Sequence, residues 1–150
     1  MLNIRAATQE DAPELVVLLA QMGDEYQRSV EELENRIASF NKARHQLLVA
    51  EDNNKIVGFI AFGCYEQFRL QGCCCHIDTL VVDKSCRGKG VGKALVQIAE
   101  QYAKQEGATE IELTTANYRR AHGTHDFYKA IGYLDHQDID CSYFVKQKSW

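Results

Sequence analysis

The stretch CCHIDTLVVDKSCRGKGVGKAL, Cys74 to Leu95, passes from an apolar, β-branched run through three closely spaced glycines into good helix formers. The spacing predicts a strand over Cys74 to Val82, a loop, and then a helix. Such a unit brings unpaired backbone N–H groups and the positive end of a helix dipole to one spot, which makes an anion site, most often for phosphate. Gly88, Gly90 and Gly92 let a ligand approach without a Cβ in the way. Arg87, Lys89 and Lys93 add positive charge. The competing reading is a tight strand-to-helix turn with no ligand.

Upstream, Asn3 to Ala6 reads as a short strand, followed by Thr8 as a helix N-cap and Pro13 in the first turn. Leu15, Leu18, Leu19 and Met22 recur at helical spacing, and so do Val30, Leu33, Ile37 and Phe40. His45 to Glu51 and Lys55 to Phe62 flank a turn at Asp52-Asn53-Asn54, the pattern of a β-hairpin. Downstream, Val91, Leu95, Ile98 and Tyr102 form the stripe of a helix closed by Gly107. Glu110 to Thr115 then reads as a strand and Arg120 to Ala130 as a helix ending before Gly132. Tyr133 to His136 and Ser142 to Lys146 read as two last strands. No repeat, linker or low-complexity tract interrupts the order, so the expectation is one α/β domain over residues 1–150, built around a mixed sheet.

Composition narrows the function. The 150 residues are 45% hydrophobic, enough for a core without disulfides or metals. The net charge of −4 argues against nucleic-acid binding as the main task, because the only dense basic cluster is the glycine loop. No apolar run reaches the roughly 18 residues of a membrane span. The opening MLNIRAATQEDAPEL lacks the layout of a secretory signal, so a soluble cytoplasmic protein without a membrane partner is expected. The six cysteines are then expected to be reduced thiols. The run Cys73-Cys74-Cys75-His76 invites a metal, but strand neighbours point to opposite faces and no second cysteine pair completes a zinc site; no metal is expected. The acidic residues Asp24, Glu25, Glu31, Glu32 and Glu34 read as a solvated helix face, with attraction of a cationic substrate as the alternative.

Two familiar phosphate loops fail against the glycine stretch. In the Walker pattern a hydroxyl residue follows Gly-Lys, but Ala94 follows Gly92-Lys93, and Arg87 stands where the first glycine belongs. The dinucleotide fingerprint needs a different glycine spacing. Arg87-Gly88-Lys89-Gly90-Val91-Gly92 does match the pattern Arg/Gln-x-x-Gly-x-Gly/Ala. With the strand ending LVV before it, the amphipathic helix after it, and FYKAIGY further on, the chain resembles the GNAT family of N-acetyltransferases over nearly its whole length.

That resemblance implies a mixed, mostly antiparallel central sheet with helices on both faces, and acetyl-CoA as co-substrate. It assigns the diphosphate of the cofactor to Arg87, Gly88, Lys89, Gly90, Val91, Gly92 and Lys93. The pantetheine arm falls to the backbone of Leu80, Val81 and Val82, where the strand splays from its neighbour. Tyr128, within Phe127-Tyr128-Lys129-Ala130-Ile131-Gly132-Tyr133, becomes the general acid, since a phenol with an ordinary pKa near 10 stays protonated at neutral pH. Where many family members carry asparagine, seven residues before this tyrosine, Ala121 stands here, and Asn117 is the nearest asparagine for the cofactor arm. Asp78 is the leading general base, placed by alternation on one side of its strand with His76 and Leu80; His76, His122 and His125 are alternatives acting through water. HIDTLVV, ELTT, RRAHGTHDFYKAIGY and SYFVK resemble most closely the aminoalkylphosphonate and other small-amine N-acetyltransferases, which implies a compact primary amine. Arg69, Arg119 and Arg120 are then candidates for an anionic substrate group. A protein or peptide N-acetyltransferase, and a non-catalytic acetyl-CoA-binding module, are the alternatives. A homodimer is a further expectation.

Overall fold

The computed structural model of the chain describes residues 1–42, 44–69 and 71–135. The chain divides into two compact units, Met1–Thr114 and Thr115–Trp150.

The first unit is a five-stranded sheet in the order β1-β2-β3-β4-β5. Its strands are β1 (Asn3–Ala6), β2 (His45–Asp52), β3 (Lys55–Glu66), β4 (Cys73–Val82) and β5 (Ala108–Leu113). The first four pair antiparallel, and β5 lies parallel to β4. The hairpin between β2 and β3 turns on Asn53 and Asn54, both at positive φ (51° and 59°), the geometry of a tight two-residue turn. Three helices complete the unit: α1 (Ala12–Ala20), α2 (Val30–Phe40) and α3 (Val91–Gln105).

Helix starts follow local chemistry. Ser29 accepts from the Glu32 amide at 3.1 Å while the Glu32 carboxylate takes the Ser29 amide at 2.9 Å, a reciprocal cap that starts α2. The Thr8 amide donates to Asp11 Oδ2 at 2.7 Å ahead of α1, so Thr8 opens a short 3-10 turn over Gln9–Asp11 rather than the α-helix itself.

Strand alternation separates two layers. Phe59, Ala61 and Val81 pack with Leu15, Leu18, Leu33 and Ile37 of α1 and α2. Phe62 lies on the opposite face, its ring edge-on to Tyr102 of α3 with centroids 5.3 Å apart. Helices therefore cover both faces, and β3 is buried continuously from Ile56 to Cys64, as a central strand between two layers must be. Three register shifts interrupt the ladders, near Val57, near Asp78 and near Thr109. At the first, the amide of Ile56 is taken up by Glu14 Oε2 of α1 at 2.9 Å.

The structure corrects several sequence expectations. The buried stripe of α3 is Val91, Leu95, Val96, Ala99 and Ala103, with Ile98 and Tyr102 only half-buried. Short alanines let the helix lie close to the sheet, so they hold the positions the larger side chains were expected to take. β5 begins and ends two residues earlier than expected. In the second unit, the helix expected over Arg120 to Ala130 is a 3-10 segment, Asn117–His122, followed by α4 (Thr124–Ala130). Gly123, at φ 78°, breaks the run between them. Of the strand expected over Tyr133 to His136, residues 133–135 are irregular and His136 is outside the described residues, as are Ser142 to Lys146 and Cys141.

Candidate active site

β4 runs directly into the glycine loop, and its end differs from its beginning. Its ladder with β5 stops at Ile77–Leu113, whereas β4 continues through Val82. Asp78, Thr79, Leu80, Val81 and Val82 thus lie along an edge that β5 does not cover. Unpaired strand edges present a row of amide and carbonyl groups. The side chain of Val81 is buried in the α1–α2 layer, so only its backbone faces that edge; Leu80 and Val82 are half-buried.

The loop itself is braced from below. Asp83 accepts from the Ser85 amide at 2.8 Å and from the Ser85 hydroxyl, and Gln21 Nε2 donates to its second oxygen at 3.3 Å. Those bonds, led by the Ser85 hydroxyl, hold the Asp83 carboxyl down at about 2. Gln21, just past α1, also accepts the Lys84 amide at 2.9 Å. Arg87 Nε donates to the carbonyl of Val82 at 3.3 Å. Gly88 and Gly90 stand at φ 75° and 83°, and a Cβ at either would meet no atom within 4 Å. Gly90 caps α3, whose first turn carries no acidic residue. Arg87, Lys89 and Lys93 are exposed; Val91 is buried and offers only backbone. Gly58 matters as much, because a Cβ there would lie 2.8 Å from the Val81 carbonyl and 3.3 Å from Val91 Cγ1. Its absence lets the start of α3 sit against the sheet beside the open edge.

The bulge changes which side chains share a face. Phe62 pairs with Ile77 and Ala61 with Thr79, so Asp78 is the extra residue. His76 consequently shares a face with Thr79 and Val81, while Leu80 shares the opposite face with Ile77. The expectation that Asp78 aligns with both His76 and Leu80 fails, because alternation does not carry through a bulge. Asp78 is exposed and accepts from the Thr79 hydroxyl at 2.8 Å. His76 instead faces Glu112, with Nδ1 3.4 Å from its carboxylate, and Glu112 also accepts from the Tyr65 hydroxyl.

Asp78 and Thr79 line a cavity of about 190 Å³ between the sheet and helices α1 and α2. Leu15, Leu19, Leu33, Ile37, Phe40 and Phe59 supply apolar wall, and Tyr26, Arg28 and Arg36 add polar groups. Sequence reasoning missed Tyr26, Arg28, Arg36, Gln21 and Gly58. Only Gly58, a lone glycine within a strand, carried a signal, since that pattern marks close backbone approach.

In the second unit, Tyr128 on α4 sits edge-on to Phe127 and Tyr133, with centroids 5.1 and 5.9 Å away. Burial pushes its phenol up to about 12, with the Arg119 charge opposing. His125 is buried, and its Nδ1 has no hydrogen-bond partner among the described residues. Asn117, Ala121 and His122 are exposed. Arg120 pairs with Asp135 at 3.0 Å, Arg119 lies 5.3 Å from the centre of the Tyr118 ring, and Arg69 is exposed at the far end of β3. Among the described residues, no three His, Cys, Asp or Glu side chains are grouped to hold a metal ion, and no helix is long and apolar enough to cross a membrane.

A strand whose end is unpaired by its neighbour, leading through a glycine loop into a helix N-terminus, is an arrangement suited to hold an anion. The chain belongs to the acetyltransferase (GNAT) family, whose model matches residues 9–133. That family uses acetyl-CoA. An uncharacterized N-acetyltransferase of Bacillus subtilis, YhfO, is 31% identical over 141 residues, covering 88% of this chain and 89% of that protein. An uncharacterized N-acetyltransferase of Methanocaldococcus jannaschii is 35% identical over 92 residues, 61% of this chain but only 40% of the length of that protein. Solved structures agree in fold. The glucosamine-6-phosphate N-acetyltransferase of Arabidopsis thaliana superposes with TM-score 0.79 at 22% identity, covering 99% of both chains. The aminoglycoside N-acetyltransferase AAC(6')-Iy, solved with CoA, gives 0.79 at 14% identity, covering 99% of this chain and 95% of its own.

Proposed function

We propose that this chain moves the acetyl group of acetyl-CoA onto a small primary amine. The observation that carries the reading is the edge of β4: five residues beyond its last pairing with β5, ending in the glycine loop at the start of α3. The residues present suit the cofactor, because Gly88 and Gly90 leave open a cradle that a Cβ would enter. Backbone amides from Arg87 to Gly92, with the charges of Arg87, Lys89 and Lys93, would hold its diphosphate. Leu80, Val81 and Val82 would bond its arm through backbone N–H and C=O groups, with Asn117 a further contact. When bound, acetyl-CoA supplies the acetyl group as an activated thioester.

The remaining chemistry belongs to side chains. Asp78, exposed at the bulge and lining the cavity, takes the proton of the arriving ammonium through a water. Tyr128 Oη keeps its proton at neutral pH and gives it to the departing sulfur; this role rests on the family pattern around Phe127 to Tyr133. The cavity suits a small amine, because its lining is mainly apolar with a few polar groups at Asp78, Tyr26, Arg28 and Arg36. Within small amines, the aminoalkylphosphonate resemblance makes those compounds part of the substrate panel. The free thiols of Cys64, Cys73, Cys74 and Cys75 suit a reducing cytoplasmic setting; Cys64 and Cys75 lie directly opposite on β3 and β4 without a bond.

The test is calorimetric titration with CoA, then release of free thiol from acetyl-CoA in the presence of small amines or N-terminal peptides. Heat on titration and faster release with small amines are the expected results. No heat overturns the cofactor assignment, and release with peptides alone overturns the substrate class in favour of a protein N-acetyltransferase. Binding without release marks a non-catalytic module.

A further inference from the structure

We infer that the amine accepted by this site has an apolar, ring-sized body whose far end carries an acidic group. The inference rests on the acetyltransferase reading above and adds a substrate class to it.

The cavity carries charge of opposite sign on its two walls, sheet and helix. Asp78 and Thr79 stand on the sheet wall, at the point where β4 leaves β5. Arg28, before α2, and Arg36, one face further along it, stand on the helix wall. The rest of the lining is mainly hydrocarbon, from Leu15, Leu19, Leu33, Ile37, Phe40 and Phe59, with Tyr26 as a further polar group. An ammonium suits the Asp78 wall, where the reaction needs the nitrogen. The arginines then lie on the other side of the ligand, and a guanidinium fork matches a carboxylate or phosphonate.

The arrangement is held rather than loose. Arg28 Nη1 donates to the carbonyls of Glu25 at 3.0 Å and Gln27 at 2.6 Å, which fixes the guanidinium beside the cavity. The nearby carboxylate, Glu32, takes the Ser29 amide at the cap of α2 and also feels the charges of Arg28 and Arg36, which an acidic group of the ligand would share. Phe40 is set edge-on to His45, with centroids 5.7 Å apart, and makes a firm aromatic wall. A compact aminoalkylphosphonate would meet the charges on both walls but leave the apolar lining against water. A ligand with a ring between amine and acid would satisfy all three regions.

Three amines separate these features: 4-(2-aminoethyl)benzoate has body and acid, 2-phenylethylamine has the body alone, and 3-aminopropylphosphonate has the acid without the body. The benzoate is expected to exceed both others in kcat/KM by at least about tenfold, the scale of a charge-assisted contact. In Arg28→Gln and Arg36→Gln the ratio of the benzoate to 2-phenylethylamine should collapse toward one. Calorimetric titration of the benzoate into the free protein should show the matching loss of affinity. Arg36 is exposed, so its variant tests the idea even if the half-buried Arg28 proves necessary for folding. Equal rates for the benzoate and 2-phenylethylamine overturn the acid-reading role, and preference for 3-aminopropylphosphonate overturns the apolar body. Failure of all three amines overturns the inference, while CoA titration reports separately whether the acetyltransferase reading survives.

Discussion

Arg5 grips Asp11 through two parallel contacts, Nη1 to Oδ2 at 2.8 Å and Nη2 to Oδ1 at 2.9 Å, and reaches Glu51 through Nε at 2.9 Å. Hydrogen bonds from Arg5, outweighing the cost of burial, hold the Asp11 carboxyl below its usual range. Asp11→Asn should therefore cost about 1–2 kcal/mol, because the half-exposed guanidinium loses its two-point carboxylate and keeps only Glu51. The sign with pH follows. A lowered carboxyl stabilises the fold fully above its unfolded value near 4 and loses that effect as pH falls through the folded value, so urea melts of wild type and variant should converge in acid. At Tyr128 the shift is upward, to about 12, and the phenol stays a proton donor across neutral pH. Tyr128→Phe should lower kcat by about 10²–10⁴ while CoA affinity stays near wild type; an unchanged rate would remove Tyr128 from the acid role. Tyr128 was legible in the sequence through its motif. The Arg5–Asp11 pair was not, since its third member, Glu51, is supplied by a different strand.

Elements meet at two glycines that behave differently. At Gly90 an added Cβ meets no protein atom, so Gly90→Val strains only the backbone, at about 1–2 kcal/mol. The variant should fold, yet lose CoA binding by tenfold or more in calorimetry because the side chain enters the cradle. At Gly58 the Cβ would press on the Val81 carbonyl and on α3. Gly58→Ala should cost about 1–3 kcal/mol in chemical denaturation and also weaken CoA, since the start of α3 is displaced. Periodicity found each described strand and α-helix, apart from the start of α1, the far end of β3 and the boundaries of β5 and α4. It could not find the bulge at Asp78, because a bulge is a mismatch between two strands rather than a property of one.

For the whole molecule, binding and stability are linked. CoA at a hundredfold excess over its Kd should add about 2.7 kcal/mol, which for a chain of this size raises Tm by about 5–10 °C. A melt unmoved by CoA would contradict the loop assignment. Family membership was readable because the glycine loop, the strand before it and the FYKAIGY motif are contiguous in sequence, and local backbone demands fix their residues. The cavity between the sheet and the helices was not readable. Arg28 and Arg36 look like ordinary surface charges along the chain, and they come to line one cavity with Asp78 only when the helices pack on the sheet.

Glycine placement, capping residues and apolar spacing thus determined from sequence alone that a strand ends in a glycine loop and a helix within a mixed sheet, since each acts within a few residues of itself. Which side chains look into the cavity, and where β4 parts from β5, was decided by tertiary structure, because strand register and helix packing join residues tens of positions apart.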